Sequence, residues 1–244
     1  MTSSKIAAVV LGAGKGTRMK SDLPKVLMPI CGKPMIRNIL DTLDSMNADR
    51  IVVVTAPDGD LVRKEVAPHQ SVIQQQQLGT GDAVMAAAEV LEGFDGDVLT
   101  IFGDHPIITK ETFLKAVAKR REGYAVVVLG FRPEDCARYG RLVVKDGELQ
   151  KIVEFKDAGD EEKAITLCNS GVMCFDGSKM FDLLRQIGNE NAAGEYYLTD
   201  AIAIARSKGW KCGVVECPAE EVAGANTREE LALLEEYLTK RQGK

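Results

Sequence analysis

At 244 residues, 45% hydrophobic and 27% charged, the chain has the length and apolar content of one globular domain with a well-buried core. Its formal net charge of −5 excludes a general nucleic-acid or membrane-surface binder, which would carry a basic face. No apolar run reaches membrane-spanning length, and residues 1–5 lead straight into an apolar segment without the h-region of a secretory leader, so a cytoplasmic protein is expected.

Along the chain, short Val- and Ile-rich runs at 6–11, 51–54, 98–102 and 125–129 read as buried strands, since they lack polar alternation. Between them Ile36, Ile39, Leu40, Leu43 and Met46 recur at helical spacing, and 83–91 is rich in helix formers. Strands alternating with helices predict βαβ units and an α/β fold. The second half changes character. Segments 142–144 and 149–153 flank "KDGE", where Asp146-Gly147 suits a two-residue hairpin turn. Further strands are expected at 169–175 and 212–217, with a helix near 179–187 between them. In the closing "NTREELALLEEYL", Thr227 and Glu230 fit a capping box, and Leu231, Leu234, Tyr237 and Leu238 form an apolar stripe. No repeat, low-complexity run or linker interrupts residues 1–244, which read as a single domain with the hairpin region as a small lobe. Cys31, Cys136, Cys168, Cys174, Cys212 and Cys217 include no C-x-x-C pair and read as small core residues.

The first strand ends in "VVLGAGKGTRMKSDLPKVL", where Gly12, Gly14 and Gly16 are followed by Arg18, Lys20 and Lys25, with Lys15 among the glycines. The dinucleotide fingerprint G-x-G-x-x-G fails because Thr17 stands at the third glycine, and the P-loop spacing is absent. Glycines after a strand let the backbone turn sharply and offer N–H groups to anionic oxygens, while the cations neutralise charge. Such a loop suits a triphosphate. A glycine-rich turn with solvated cations is the plainer alternative.

These residues, with "QQLGTGDAV", "FGDHPII", "YGRLV", "KIVEFKDA", "CNSGVMCFDG", "NAAGEYYLTDAIAIA" and "GANTREELA" following in order, resemble the sugar-phosphate nucleotidyltransferases. Within that family the similarity is greatest to the uridyltransferase, or pyrophosphorylase, domains of the bacterial N-acetylglucosamine-1-phosphate uridyltransferases. The resemblance implies a Rossmann-like, mixed and mostly parallel sheet flanked by helices, with a small sugar-binding lobe. It implies transfer of a nucleotidyl group from a nucleoside triphosphate, UTP by resemblance, to N-acetylglucosamine 1-phosphate, with release of pyrophosphate. Leu11, Gly12 and Gly14 would lie at base and ribose, and Lys15, Arg18 and Lys25 on the phosphates. Gln74 would read the base with backbone groups of Gly79 and Thr80, a role an amide fills by giving one donor and one acceptor. Asp104 and Asn226 would hold Mg²⁺, which takes oxygen ligands. Gly140, Glu154, Asn169, Tyr197 and Thr199 would contact the sugar. Nucleic acid and membrane are not expected partners.

Three departures from the family pattern bear on this expectation. No hexapeptide repeats of a left-handed β-helix follow, so acetyl transfer is not expected. Asp82 stands where the family commonly has histidine, and His105 where a small apolar residue is usual. Both flank the expected nucleotide, so another nucleotide or sugar 1-phosphate is the enzymatic alternative. A catalytically silent, nucleotide-sugar-binding regulatory subunit is the other alternative. It would be expected to lose some of Lys15, Arg18, Lys25, Asp104 and Asn226, all of which are present.

Overall fold

The computed structural model describes residues 5–14, 19, 21, 23–136 and 139–242. In its first half the chain forms β1 (Ile6–Leu11), the short β2 (Pro29–Ile30) and β3 (Lys33–Pro34), α1 (Met35–Ser45), β4 (Arg50–Thr55), α2 (Asp60–Val66), β5 (Gln70–Ile73), α3 (Thr80–Met85), β6 (Asp97–Phe102), α4 (Lys110–Arg120) and β7 (Val126–Phe131). There follow β8 (Arg141–Lys145), β9 (Glu148–Val153), α5 (Asp160–Lys163), β10 (Cys168–Asp176), α6 (Gly177–Leu184), α7 (Asp200–Ser207), β11 (Cys212–Glu216) and α8 (Arg228–Gln242).

The main sheet runs β11-β7-β10-β6-β1-β4-β5. Every junction on this path is parallel except the two made by β10, which is antiparallel to both β6 and β7. This is the α/β fold that the strand and helix alternation predicts, with the mixed, mostly parallel sheet that the resemblance implies. Both faces are covered, as continuous apolar strands require. In β1, Ala7 and Val9 join one core cluster with residues of α3, α6 and α7, while Ile6, Ala8 and Val10 join a second with residues of α1, α2 and α4. A third cluster seats Leu231 and Leu234 of α8 on Met19, Ile30, Met35 and Ile107.

The β8–β9 hairpin turns through Asp146 and Gly147, whose φ angles of 53° and 77° are those of the expected two-residue turn. Leu142, Leu149 and Ile152 of this lobe are buried in the first core cluster, and β8 pairs with β10, so the lobe is continuous with the sheet. The capping box forms as expected: Glu230 N donates to Thr227 Oγ1 at 3.2 Å, and Thr227 N to Glu230 Oε2 at 3.3 Å.

Two helices differ from the sequence expectation. The helix expected over 83–91 begins earlier and ends at Met85. Beyond it the amides of Ala87 and Ala88 bond three residues back, to the carbonyls of Val84 and Met85 at 3.1 and 3.0 Å, and the chain continues as turns. Composition favours a helix throughout this stretch, but it does not decide between four-residue and three-residue closure. The helix expected near 179–187 is Gly177–Leu184, set early by Asp176, whose side chain caps it through Ser178 N at 3.2 Å.

Candidate active site

The direction of strand crossover reverses between β1 and β6, and in such sheets the crevice at the carboxyl ends receives ligands. Leu11 ends β1 and Phe102 ends β6. Gly103 N extends the ladder to Leu11 O at 2.8 Å, so Asp104 emerges beside Gly12 to Gly14. Gln74 follows β5 directly, its amide bonded to Thr55 O at 2.9 Å. Since β10 runs the other way, its amino end, with Asn169, lies at this same edge.

These carboxyl-end loops open on a cavity of about 650 Å³, within the range of small-molecule sites. Its wall includes Leu11, Gly14, Gln74, Gly79 and Thr80 from the expected nucleotide set. It also includes Lys25, Asp104 and Asn226, and all five expected sugar residues: Gly140, Glu154, Asn169, Tyr197 and Thr199. Lys15 and Arg18 lie outside the described residues. Gly12 is not among the lining residues: its amide is bonded to Val54 O at 2.8 Å, and a Cβ there would come within 3.2 Å of that same oxygen. Among the described residues its glycine requirement comes from the neighbouring strand.

Lys25 opens a short 3₁₀ turn after Pro24, anchored by buried Val26. Its ammonium forms an ion pair with Asp104 and donates to Asn226 Oδ1 at 2.7 Å. Asp104 is thus joined to a residue that precedes α8, and the Lys25 ammonium sits against both side chains that the resemblance would place on a metal. A carboxylate and an amide oxygen already facing one cation are a hard-oxygen pair suited to a divalent ion that completes its shell with phosphate oxygens and water. Among the described residues no group of three or more His, Cys, Asp or Glu is placed to hold a metal ion.

His105 packs edge-on to Phe102 with ring centroids 5.5 Å apart, and among the described residues its buried Nδ1 has no hydrogen-bond partner. Burial pushes it below the ordinary imidazole range, against the pull of Asp104, so it stands as a neutral wall. A Cβ at Gly224 would meet Asp104 Oδ2 at 2.9 Å and the His105 ring at 3.1 Å, so the turn before Asn226 needs glycine to come this close.

On the opposite wall, Thr199 Oγ1 donates to Glu154 Oε1 at 3.2 Å, and a Cβ on Gly140 would lie 3.3 Å from the same carboxylate. Asn169 is buried, and its Oδ1 accepts from Gly171 N at 2.9 Å. Gly171 has φ +80°, and a Cβ there would overlap the Phe102 ring. Burial raises the pKa of Glu154 above its ordinary 4.5, with smaller pushes from Asp157 and Asp200, and the Thr199 bond opposes this. Between the ordinary and the raised value the unfolded chain has released a proton that the folded chain keeps. Stability from this group is therefore full at low pH and lost as pH rises through the folded pKa. Glu154→Gln is expected to raise Tm at neutral pH and to leave it nearly unchanged below pH 4.5, while weakening sugar-phosphate binding. Thermal melts at the two pH values check this; an equal shift at both would assign the gain to packing.

Two residues that support the base-side loop were not singled out as binding residues from sequence. Gln77 lines the cavity and its Nε2 donates to Ala13 O at 2.6 Å, tying the base-side loop to the glycine loop. Asp82, which the motif comparison marks only as unusual, accepts from Gln74. The first bond spans 64 residues, so nothing local signals it; the second shows only once Gln74 and α3 are packed.

Comparison with known proteins gives consistent matches. Residues 8–205 match the family described as "MobA-like NTP transferase domain". The chain is 51% identical over 237 residues to the protein named "Bifunctional protein GlmU" of Paramagnetospirillum magneticum, an alignment covering 96% of this chain and 53% of that protein. It is 53% identical over 234 residues to the protein of the same name from Rhodospirillum rubrum, covering 95% and 52%. For the Rhizorhabdus wittichii protein, also of that name, the figures are 48% over 241 residues, 96% and 53%. The chain spans about half the length of the curated relatives it matches.

Proposed function

Because the chain belongs to the MobA-like NTP transferase family, we propose that it transfers a uridylyl group from UTP to N-acetylglucosamine 1-phosphate, giving UDP-N-acetylglucosamine and pyrophosphate. The observation that carries this reading is that base-side residues, the Lys25–Asp104–Asn226 group and the sugar-side residues line one cavity. A phosphate oxygen of the sugar 1-phosphate attacks the α-phosphorus of the nucleotide. That oxygen is already anionic, so the chain need supply no general base, and none of the residues on the wall is required for one. The work left to the protein is to bring two anions into line and to stabilise charge that grows in the transition state.

In this reading Gln74, Gly79 and Thr80 hold the base, Leu11 and Gly14 border the nucleotide, and Lys25, with Lys15 and Arg18, bears on the phosphates. Gly12 supports the same loop through its contact with β4. Asp104 and Asn226 would hold Mg²⁺, which would supply Lewis-acid stabilisation of charge on the phosphates. Glu154, Asn169, Thr199, Tyr197 and Gly140 orient the sugar. No helix among the described residues is long and apolar enough to cross a membrane, which is compatible with action on water-soluble substrates in the cytoplasm.

The direct test is a pyrophosphate-release assay crossing UTP, CTP, dTTP and ATP with N-acetylglucosamine, glucosamine and glucose 1-phosphates. The UTP and N-acetylglucosamine 1-phosphate pair is expected to give the highest kcat/KM. A higher value for another pair would replace the named substrates, and no release with any pair would overturn the reading.

A further inference from the structure

Gln74 is 5% exposed and its amide has a defined sense. Nε2 donates to Gly79 O at 3.0 Å and to Asp82 Oδ2 at 2.7 Å. A backbone carbonyl and a carboxylate can only accept, so the NH₂ group must face them and Oε1 must face away. Among the described residues no donor is bonded to Oε1, and Gln74 lines the cavity. Asp82 is itself held in place. It belongs to α3, and its Oδ2 also accepts from Leu78 N at 3.2 Å, closing the loop that leads into the helix. Gly79 has φ 124°, and a Cβ there would come within 2.6 Å of Tyr196 O, so the carbonyl that shares Nε2 is fixed by a conformation that only glycine adopts easily.

We infer that Asp82 is the specificity-determining positioning residue of this site: by holding Nε2 it commits Gln74 to present an acceptor, and so a base with an N–H at ring position 3. Uracil has that N–H. Cytosine has a lone pair there, and its nearest donor is the amino group one position away. With the amide turned over, a donor would face the base and the preference would invert, but Oε1 would then confront a carboxylate and a carbonyl. The inference rests on the uracil reading proposed above, and it gives the departure at position 82 a role. Asp82 acts through Gln74 and need not touch the nucleotide.

The test measures kcat/KM with UTP and with CTP for the wild type, Asp82→Asn, Asp82→Ala, Gln74→Ala and the Gln74→Ala/Asp82→Asn pair. An asparagine can offer its own NH₂ to Gln74, so only the Gly79 carbonyl then opposes the turned-over amide. Asp82→Asn is expected to narrow the UTP:CTP ratio by about tenfold or more, the size of one mismatched hydrogen bond. In the Gln74→Ala background the same substitution should leave the ratio where Gln74→Ala has already put it. A residue that merely stiffens the loop would lower both nucleotides alike in both backgrounds. A folded Asp82→Asn or Asp82→Ala enzyme that keeps the wild-type ratio overturns the inference. A wild type with no preference for UTP overturns the uracil reading itself, and this inference with it.

Discussion

Asp104→Ala is expected to lower kcat by about a thousandfold or more while the protein folds normally. In the proposed reaction the group it removes would hold a divalent cation worth several kcal/mol of transition-state charge stabilisation. The loss should fall on kcat more than on KM, because the charge concerned grows during the reaction. Folding is expected to survive because Asp104 stands on the cavity wall, with its side chain 15% exposed, at the end of a ladder whose bonds are backbone bonds. Asp104→Asn keeps one oxygen and should fall between the two. Circular dichroism and thermal melts establish the fold, and steady-state assays with and without chelator establish the dependence. Full turnover of the wild type in excess EDTA would remove the metal from the proposal.

Lys25→Ala is expected to cost about 2–4 kcal/mol of transition-state stabilisation, roughly 30- to 900-fold in kcat/KM, the size found when one preorganised donor is lost from a site that stabilises charge. The side chain is 14% exposed and its ammonium is held against Asp104 and Asn226, so its position is set before substrate arrives. Lys25→Arg should recover only part of the loss, since a planar fork cannot reproduce a compact point charge. Arg18→Ala, at a position outside the described residues, is expected to cost a similar amount on the strength of its motif. Near-normal kcat/KM in Lys25→Ala would detach the opening loop from phosphate chemistry.

Much of the fold was legible in the sequence where a local pattern has one physical solution. The Val and Ile runs of β1, β4, β6 and β7 have no polar face to turn to water, and Asp146-Gly147 tolerates the positive φ its turn needs. The antiparallel insertion of β10 between β6 and β7 was not legible, because an apolar run carries no direction. Neither was the early end of α3, where propensity is silent on the closure of the last turn. In the site, ordered motif blocks put Asp104 and Asn226 forward by resemblance, but the bond from Lys25 to Asn226 joins positions 201 residues apart and exists only in the folded chain. The motif gave Gly12 the same standing as Gly14, yet the strand beside it accounts for Gly12. Asp82 is the reverse case: an unusual residue on paper that turns out to be bonded to the base-side glutamine.

The strand order has a metrical consequence. β10, β6 and β1 are consecutive in the sheet, and at one edge they lead to Asn169, Asp104 and Gly14 respectively. Ladder bonds tie β6 to β1 as far as Phe102 and Leu11, about 4.8 Å apart, within a sheet buried on both faces. β10 is paired with β6 only through Met173–Asp176, and its register on β7 shifts between Asn169 and Met173. The sheet therefore works as a gauge between β6 and β1. Whatever spans from the Asp104 side to the Gly14 side must fit a footing fixed when the chain folds, and any accommodation of substrate falls to the segments beyond those bonded pairs.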